Sequence, residues 1–125
     1  TSSTNGAVEI AGGLAVGHKI YAGNDIIAFN SSDISLKENI APIPNSLDKI
    51  LSLSGNIFSW NKKSDYYGTD DVGILAQEVE ALGLPGITQT RKNGDKAVRY
   101  DRLIPILIEA VKELTAKVNS LENNK

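Results

Sequence analysis

The aliphatic residues in the last quarter of the chain recur at helical spacing. Ile104, Leu107, Val111, Leu114, Val118 and Leu121 follow one another at intervals of 3, 4, 3, 4 and 3, the a/d pattern of a helix that presents a narrow apolar stripe to a partner. This spacing predicts a helix over about 101–122, with Asp101 as N-cap and Pro105 in the first turn, where a missing N–H does least harm. Such a stripe suits either a helix facing the core of a monomer or a short parallel coiled coil at the end of an oligomer, and the coiled coil is the expectation. About two and a half heptads are marginal alone, so other contacts must support them. β-Branched residues at one seam position and Leu at the other favour a dimer by the rules for isolated peptides.

Between residues 32 and 100 the pattern alternates among shorter elements. "IPNSLDKILSLSG" predicts a short helix capped by Asn45 or Ser46, with Leu47, Ile50 and Leu51 on one face and Gly55 as the stop. "NIFSWN" alternates, with Ile57 on one face and Phe58 and Trp60 on the other, and predicts a strand. "KKSDYYGTDD" reads as a polar loop, and "VGILAQEVEALG" as an amphipathic helix ended by Gly83, Pro85 and Gly86. "GITQTRKNGDKAVRY" predicts a hairpin turning at Asn93-Gly94.

The first 31 residues differ in kind, holding five of the eleven glycines but only three charged residues, Glu9, Lys19 and Asp25. Short strands are expected at Val8–Ile10, Leu14–Val16, Lys19–Ala22 and Ile26–Phe29, punctuated by Gly12, Gly13, Gly17, Gly23 and Asn24. Strands this short cannot make a stable sheet alone, so they are expected to pair with strands of neighbouring chains. The division is therefore 1–31, a glycine-rich β-segment, and 32–125, an α+β domain with short strands and helices that ends in the long helix.

Composition narrows the function. A net charge of -2 argues against binding nucleic acid or an anionic membrane, both of which need clustered basic surface. No apolar run reaches the roughly 18–20 residues of a membrane span, and no basic lead-in marks a secretory leader. Cysteine is absent and His18 is the single histidine, which excludes disulfides, thiol nucleophiles and multi-histidine metal sites. No cofactor is expected. With Thr rather than Met at position 1, the chain reads as a piece of a longer polypeptide.

At the seam between the two regions lies "FNSSDISLKENI", with Ser32, Asp33 and Lys37. A serine hydroxyl needs a base to become a nucleophile, and a lysine that loses its proton on desolvation can serve. A Ser/Lys dyad needs no histidine. The alternative is a turn capped by Ser32 or Asp33 beside a solvated Lys37.

Three ordered stretches bear on that choice: "SSDISLKENIAPI", "GILAQEVEALG" and "VRYDRLIPILIEAVKEL". Together they resemble the intramolecular chaperone domain of phage tail spikes and fibres, the endosialidase-type chaperone, a self-cleaving serine–lysine peptidase. The resemblance covers residues 32 to about 120, and Ser32, Asp33, Lys37 and Asn39 all match its first motif. It implies a parallel homotrimer, against the dimer preference of the heptad. The domain would align three copies of the upstream shaft, guide them into a trimeric β-structure, and then cut itself off once, in cis. Ser32 would be the nucleophile and Lys37 its base, with Asp33 or Asn39 orienting them. Attack on the Ser31 carbonyl passes through a five-membered ring, so Ser31–Ser32 is the expected cleavage site, with Ser32–Asp33 as the alternative. The implied setting is a virion tail fibre or spike precursor folded in the host cytoplasm, with the domain absent from the mature fibre if cleaved. Two other functions compete: a non-cleaving structural or receptor-binding fibre tip, and a hydrolase acting on external substrates.

Other side chains carry less. Gln77, Glu78 and Glu80 mark a solvated or salt-bridging face, and the resemblance makes Gln77 and Glu78 structural markers that would touch a neighbour's dyad. Trp60, Tyr66 and Tyr67 read as a core tryptophan and a loop rather than a sugar platform. His18 reads as a surface or turn residue rather than an axial ion ligand. Asp70-Asp71 lacks the spacing of a calcium loop, so no metal is assigned.

Overall fold

The computed structural model describes residues 7–124. They fall into two units, one within Thr1–Glu38 and one within Asn39–Lys125. In the first, the backbone bends at Ala7–Val8, Ala11–Gly12, Gly17–His18 and Gly23–Asn24, and a 3-10 turn follows at Ile34–Leu36. Every described residue of this unit is exposed, Phe29 to 94%. The four short strands expected here are not formed among the described residues of the single chain. An extended segment becomes a strand only when a neighbour satisfies its N–H and C=O groups, and no ladder is made among the described residues of this unit.

The second unit is α+β. Its elements are α1 (Ser46–Leu51), β1 (Asn56–Ser59), β2 (Asp70–Gly73), α2 (Ala76–Glu80), β3 (Thr88–Thr90), β4 (Lys96–Val98) and α3 (Leu103–Asn123). β1 and β2 pair antiparallel with Ile57 opposite Val72 and Phe58 opposite Asp71. β3 and β4 form a second hairpin with Gln89 opposite Ala97. Its tip is the expected one: Gly94 has φ 94, and the Asn93 side chain accepts from the Asp95 N–H at 2.9 Å. Val79 of α2, Ile87 and Ile106 of α3 form the buried centre, with Ile43, Ile50, Leu53, Ile74, Leu82, Leu84, Val98 and Leu103 packed around them.

Several boundaries differ from the sequence expectation, each for a tertiary reason. Asp70 and Asp71 are not loop but β2, because β1 supplies the ladder and side chains hold both carboxylates: Ser59 Oγ donates to Asp70 at 2.6 Å and Trp60 Nε1 to Asp71 at 3.2 Å. The "VGILAQEVEALG" helix shrinks to Ala76–Glu80, since Val72 and Gly73 are spent on β2, and Gly83 with φ 71 closes the turn after it. Neither Asn45 nor Ser46 caps α1: Asn45 sits at φ 52 without a side-chain cap bond, and the buried Ser46 donates to the Ile43 carbonyl at 2.9 Å. The acceptor comes from α3 instead, where the Glu113 carboxylate takes the Leu47 N–H. Leu47 and Ile50 are half-buried, whereas Leu51 is 72% exposed and leaves the predicted face. Asp101 is not the N-cap of α3: it lies in a 3-10 turn, Tyr100–Arg102, and pairs with Arg99 at 3.6 Å and Arg102 at 3.9 Å.

The face that α3 turns inward tests the first reading of its stripe, a helix facing the core. Ile106 and Ala110 are buried, with Leu103 and Glu113 half-buried beside them. The seam lies on the other side: Ile104, Leu107, Val111, Leu114, Val118 and Leu121 are between 44% and 69% exposed. The heptad stripe is therefore not a core-facing stripe of this chain, and residues 114–123 are exposed throughout.

Candidate functional site

The six residues from Ser32 to Lys37 form a local device. Asp33 starts the 3-10 turn: its Oδ1 accepts the Ser35 N–H at 2.9 Å, and its carbonyl accepts the Leu36 N–H at 3.1 Å. The Lys37 N–H then closes on the Ile34 carbonyl at 3.1 Å. Three residues per turn fold the chain back on itself, and Lys37 Nζ reaches Ser32 Oγ at 2.8 Å. The two residues singled out as nucleophile and base are thus brought within hydrogen-bond distance by a turn of their own sequence.

Asp33 does this through its cap. The Ser35 backbone N–H, and secondarily the Ser35 hydroxyl, hold its carboxyl below the ordinary aspartate range. Ser31, Ser32, Asp33 and Lys37 are all exposed. Asn39, the fourth matching residue, opens the second unit with φ 54, a left-handed conformation that asparagine tolerates. The geometry can position an amine on a hydroxyl. For that amine to take the hydroxyl proton it must first lose its own, which requires removal from water.

The remaining candidates serve the fold. Glu78 accepts the Ser54 hydroxyl at 2.5 Å, and Asn56 Nδ2 donates to the same Ser54 oxygen at 2.9 Å, so this glutamate binds α2 to the start of β1. Glu80 pairs with Lys96 at 2.8 Å, and Gln77 is exposed. Trp60 packs against Phe58 with centroids 5.0 Å apart, edge to face, and against Tyr66 at 5.3 Å, which makes it structural; Tyr67 and His18 are exposed. Among the described residues no group of carboxylates or histidines is arranged to hold a metal, and no helix is long and apolar enough to cross a membrane.

Sequence reasoning missed one joint that explains a motif. The Ile74 N–H donates to the Tyr100 hydroxyl at 3.3 Å, tying the end of β2 to the turn that leads into α3. This approach requires glycine at position 73, where a Cβ would lie 2.9 Å from the Tyr100 oxygen and 3.3 Å from the Phe58 ring. The signal was Tyr100 itself, an aromatic with a polar end directly before a helix.

Residues 32–87 match the family model Peptidase S74, chaperone of endosialidase. Two curated relatives are the long tail fiber protein Gp37 of Enterobacteria phage K3 and that of Enterobacteria phage T2, each 37% identical over 99 residues. The alignments cover 74% of this chain but only 8% and 7% of those proteins, so the chain spans less than a tenth of their length.

Proposed function

We propose that this chain, whose residues 32–87 match the chaperone-of-endosialidase model, is the intramolecular chaperone of a phage tail fibre, and that it releases itself from the fibre by serine–lysine autoproteolysis. The observation that carries the cleavage is the contact of Lys37 Nζ with Ser32 Oγ at 2.8 Å, directly after the glycine-rich segment. Neutral Lys37 takes the Ser32 hydroxyl proton as Oγ bonds to the Ser31 carbonyl carbon. The resulting ammonium returns that proton to the Ser32 nitrogen as the C–N bond breaks. Water then hydrolyses the ester between the Ser31 acyl group and Ser32 Oγ. The products are a carboxyl end at Ser31 and an amino end at Ser32, with one water consumed.

The chaperone role rests on association. The exposed seam of α3 and its uncovered C-terminal half suit three parallel copies of the helix, a trimer in line with the family resemblance rather than the dimer of isolated peptides. A helix of about ten residues with nothing against it is marginal in water, so a partner is what would hold it. Three domains joined in parallel would bring three copies of the upstream segment to high local concentration with their ends in register. That meets a real difficulty, because non-local pairing between chains is slow and exposes edges. Folding in the host cell, followed by loss of the domain from the mature fibre, is the corresponding life history.

A second reading, a permanent fibre tip without chemistry, is favoured by the exposure of Ser32 and Lys37, which leaves both side chains open to water. Intact mass of the purified chain separates the two. Autoproteolysis predicts a peptide ending at Ser31 and a domain beginning at Ser32, with Ser32→Ala and Lys37→Ala uncut. The same state in all three proteins, cut or uncut, would sink it.

A further inference from the structure

The segment before the dyad carries a repeat of six. Counting from Gly6, the third residue of each successive hexad is Val8, Leu14, Ile20 and Ile26, a large aliphatic every time. The fifth is Ile10, Val16, Ala22 and Ala28. The junctions between hexads are Ala11–Gly12, Gly17–His18 and Gly23–Asn24, and at each of them the backbone bends. Only the bend at Ala7–Val8 falls off this period.

In extended chain, residues two apart lie on one face. The third and fifth positions therefore share a face within each hexad, and all of it is even-numbered. The three charged residues of the segment, Glu9, Lys19 and Asp25, are odd-numbered, as is Tyr21. The structure leaves the apolar face open: Val8 is 78% exposed, Leu14 68%, Ile20 67% and Ile26 72%.

We propose that residues 6–29 are four six-residue rungs of a β-structure shared between copies of this chain, in which the third and fifth residue of every rung pack against the same positions of the neighbouring copies. A single rung cannot bury its apolar face, and repeats of this kind are stable only when stacked neighbours close a continuous core. The occupant is another copy because the face repeats at the period at which the backbone bends. A second copy supplies matching ridges and bends, while the uncharged face raises no electrostatic obstacle. The small residues at the junctions let backbones turn closely. The repeat ends at Phe29, so a cut between Ser31 and Ser32 leaves every rung whole.

This inference rests on the oligomeric reading above, and its test separates the two. The chain carrying Ser32→Ala, which keeps the segment attached, is examined by sedimentation and by hydrogen exchange of residues 8–28. In the oligomer these amides are slow. Ile26→Asp removes that protection and Ile27→Asp, one position away on the other face, keeps it. Deleting residues 18–23 preserves the phase and the protection, whereas inserting one alanine after Gly17 abolishes it. Equal effects of the two aspartates, or an equal response to deletion and insertion, overturn the rung assignment. An oligomer whose segment exchanges freely overturns it while sparing the oligomeric reading; a monomer by sedimentation overturns both.

Discussion

Glu113 should hold the second unit together more firmly than its position on an exposed helix suggests. Its carboxylate accepts the N–H of Leu47 in the first turn of α1, where Asn45 provides no side-chain acceptor. Glu113→Ala leaves that half-buried N–H unpaired, a cost of about 1–3 kcal/mol. It also removes a negative charge from a helix N-terminus, worth about 0.3–1 kcal/mol. Alanine and glutamate both favour helix, so α3 itself gains little in return. The net loss is about 2 kcal/mol. Glu113→Gln keeps an acceptor and loses the charge, for about 0.3–1 kcal/mol. For a domain of this size 1 kcal/mol corresponds to roughly 4–8 °C in Tm, which places Glu113→Ala roughly 8–16 °C below the parent and Glu113→Gln between them. Far-ultraviolet circular dichroism during thermal unfolding, at one fixed protomer concentration because association adds to apparent stability, reads the order. Glu122→Ala, an exposed glutamate on the same helix, is the control. If Glu113→Ala melts with Glu122→Ala, the cap from α3 is not what secures α1.

Three further outcomes follow from the geometry. Asp33→Ala should slow self-cleavage several-fold whereas Asp33→Asn retains most of it, because asparagine still caps the turn; equal loss in both would mean that the charge matters and not the cap. The Asp33 carboxyl is held below its ordinary range by Ser35, so its contribution is complete above the unfolded aspartate pKa and is lost only as pH falls through the lower folded value. The Ser35 amide shift should therefore stay constant through neutral pH and move only in strong acid. On α3, Val111→Asp should abolish association while each domain stays folded, whereas Ile106→Ala, at a site with no exposure, should cost about 2–5 kcal/mol of stability; sedimentation and thermal melts would refute this assignment of faces if the two behaved alike.

What could be read from the residues was what depends on near neighbours. The α3 helix, the turn at Asn93-Gly94, the split of Ile57 from Phe58 and Trp60, and the pairing of Ser32 with Lys37 all arise within a few positions of chain. Periodicity and turn chemistry encode such features directly. The hexad before the dyad was equally present in the sequence, but its phase became evident from where the backbone bends. Tertiary structure alone decided the features whose partners are distant in sequence. Asp70 and Asp71 became a strand because β1 lies beside them; Glu113 caps a helix that begins 67 positions earlier in the chain. Gly73 is required by the oxygen of Tyr100. The inward face of α3 was settled in the same way. Two apolar faces run along that helix, and only packing against the rest of the second unit assigns Ile106 and Ala110 to the core while leaving the heptad seam exposed. Local periodicity shows that a face is apolar; which face the chain itself covers depends on contacts that the spacing does not encode.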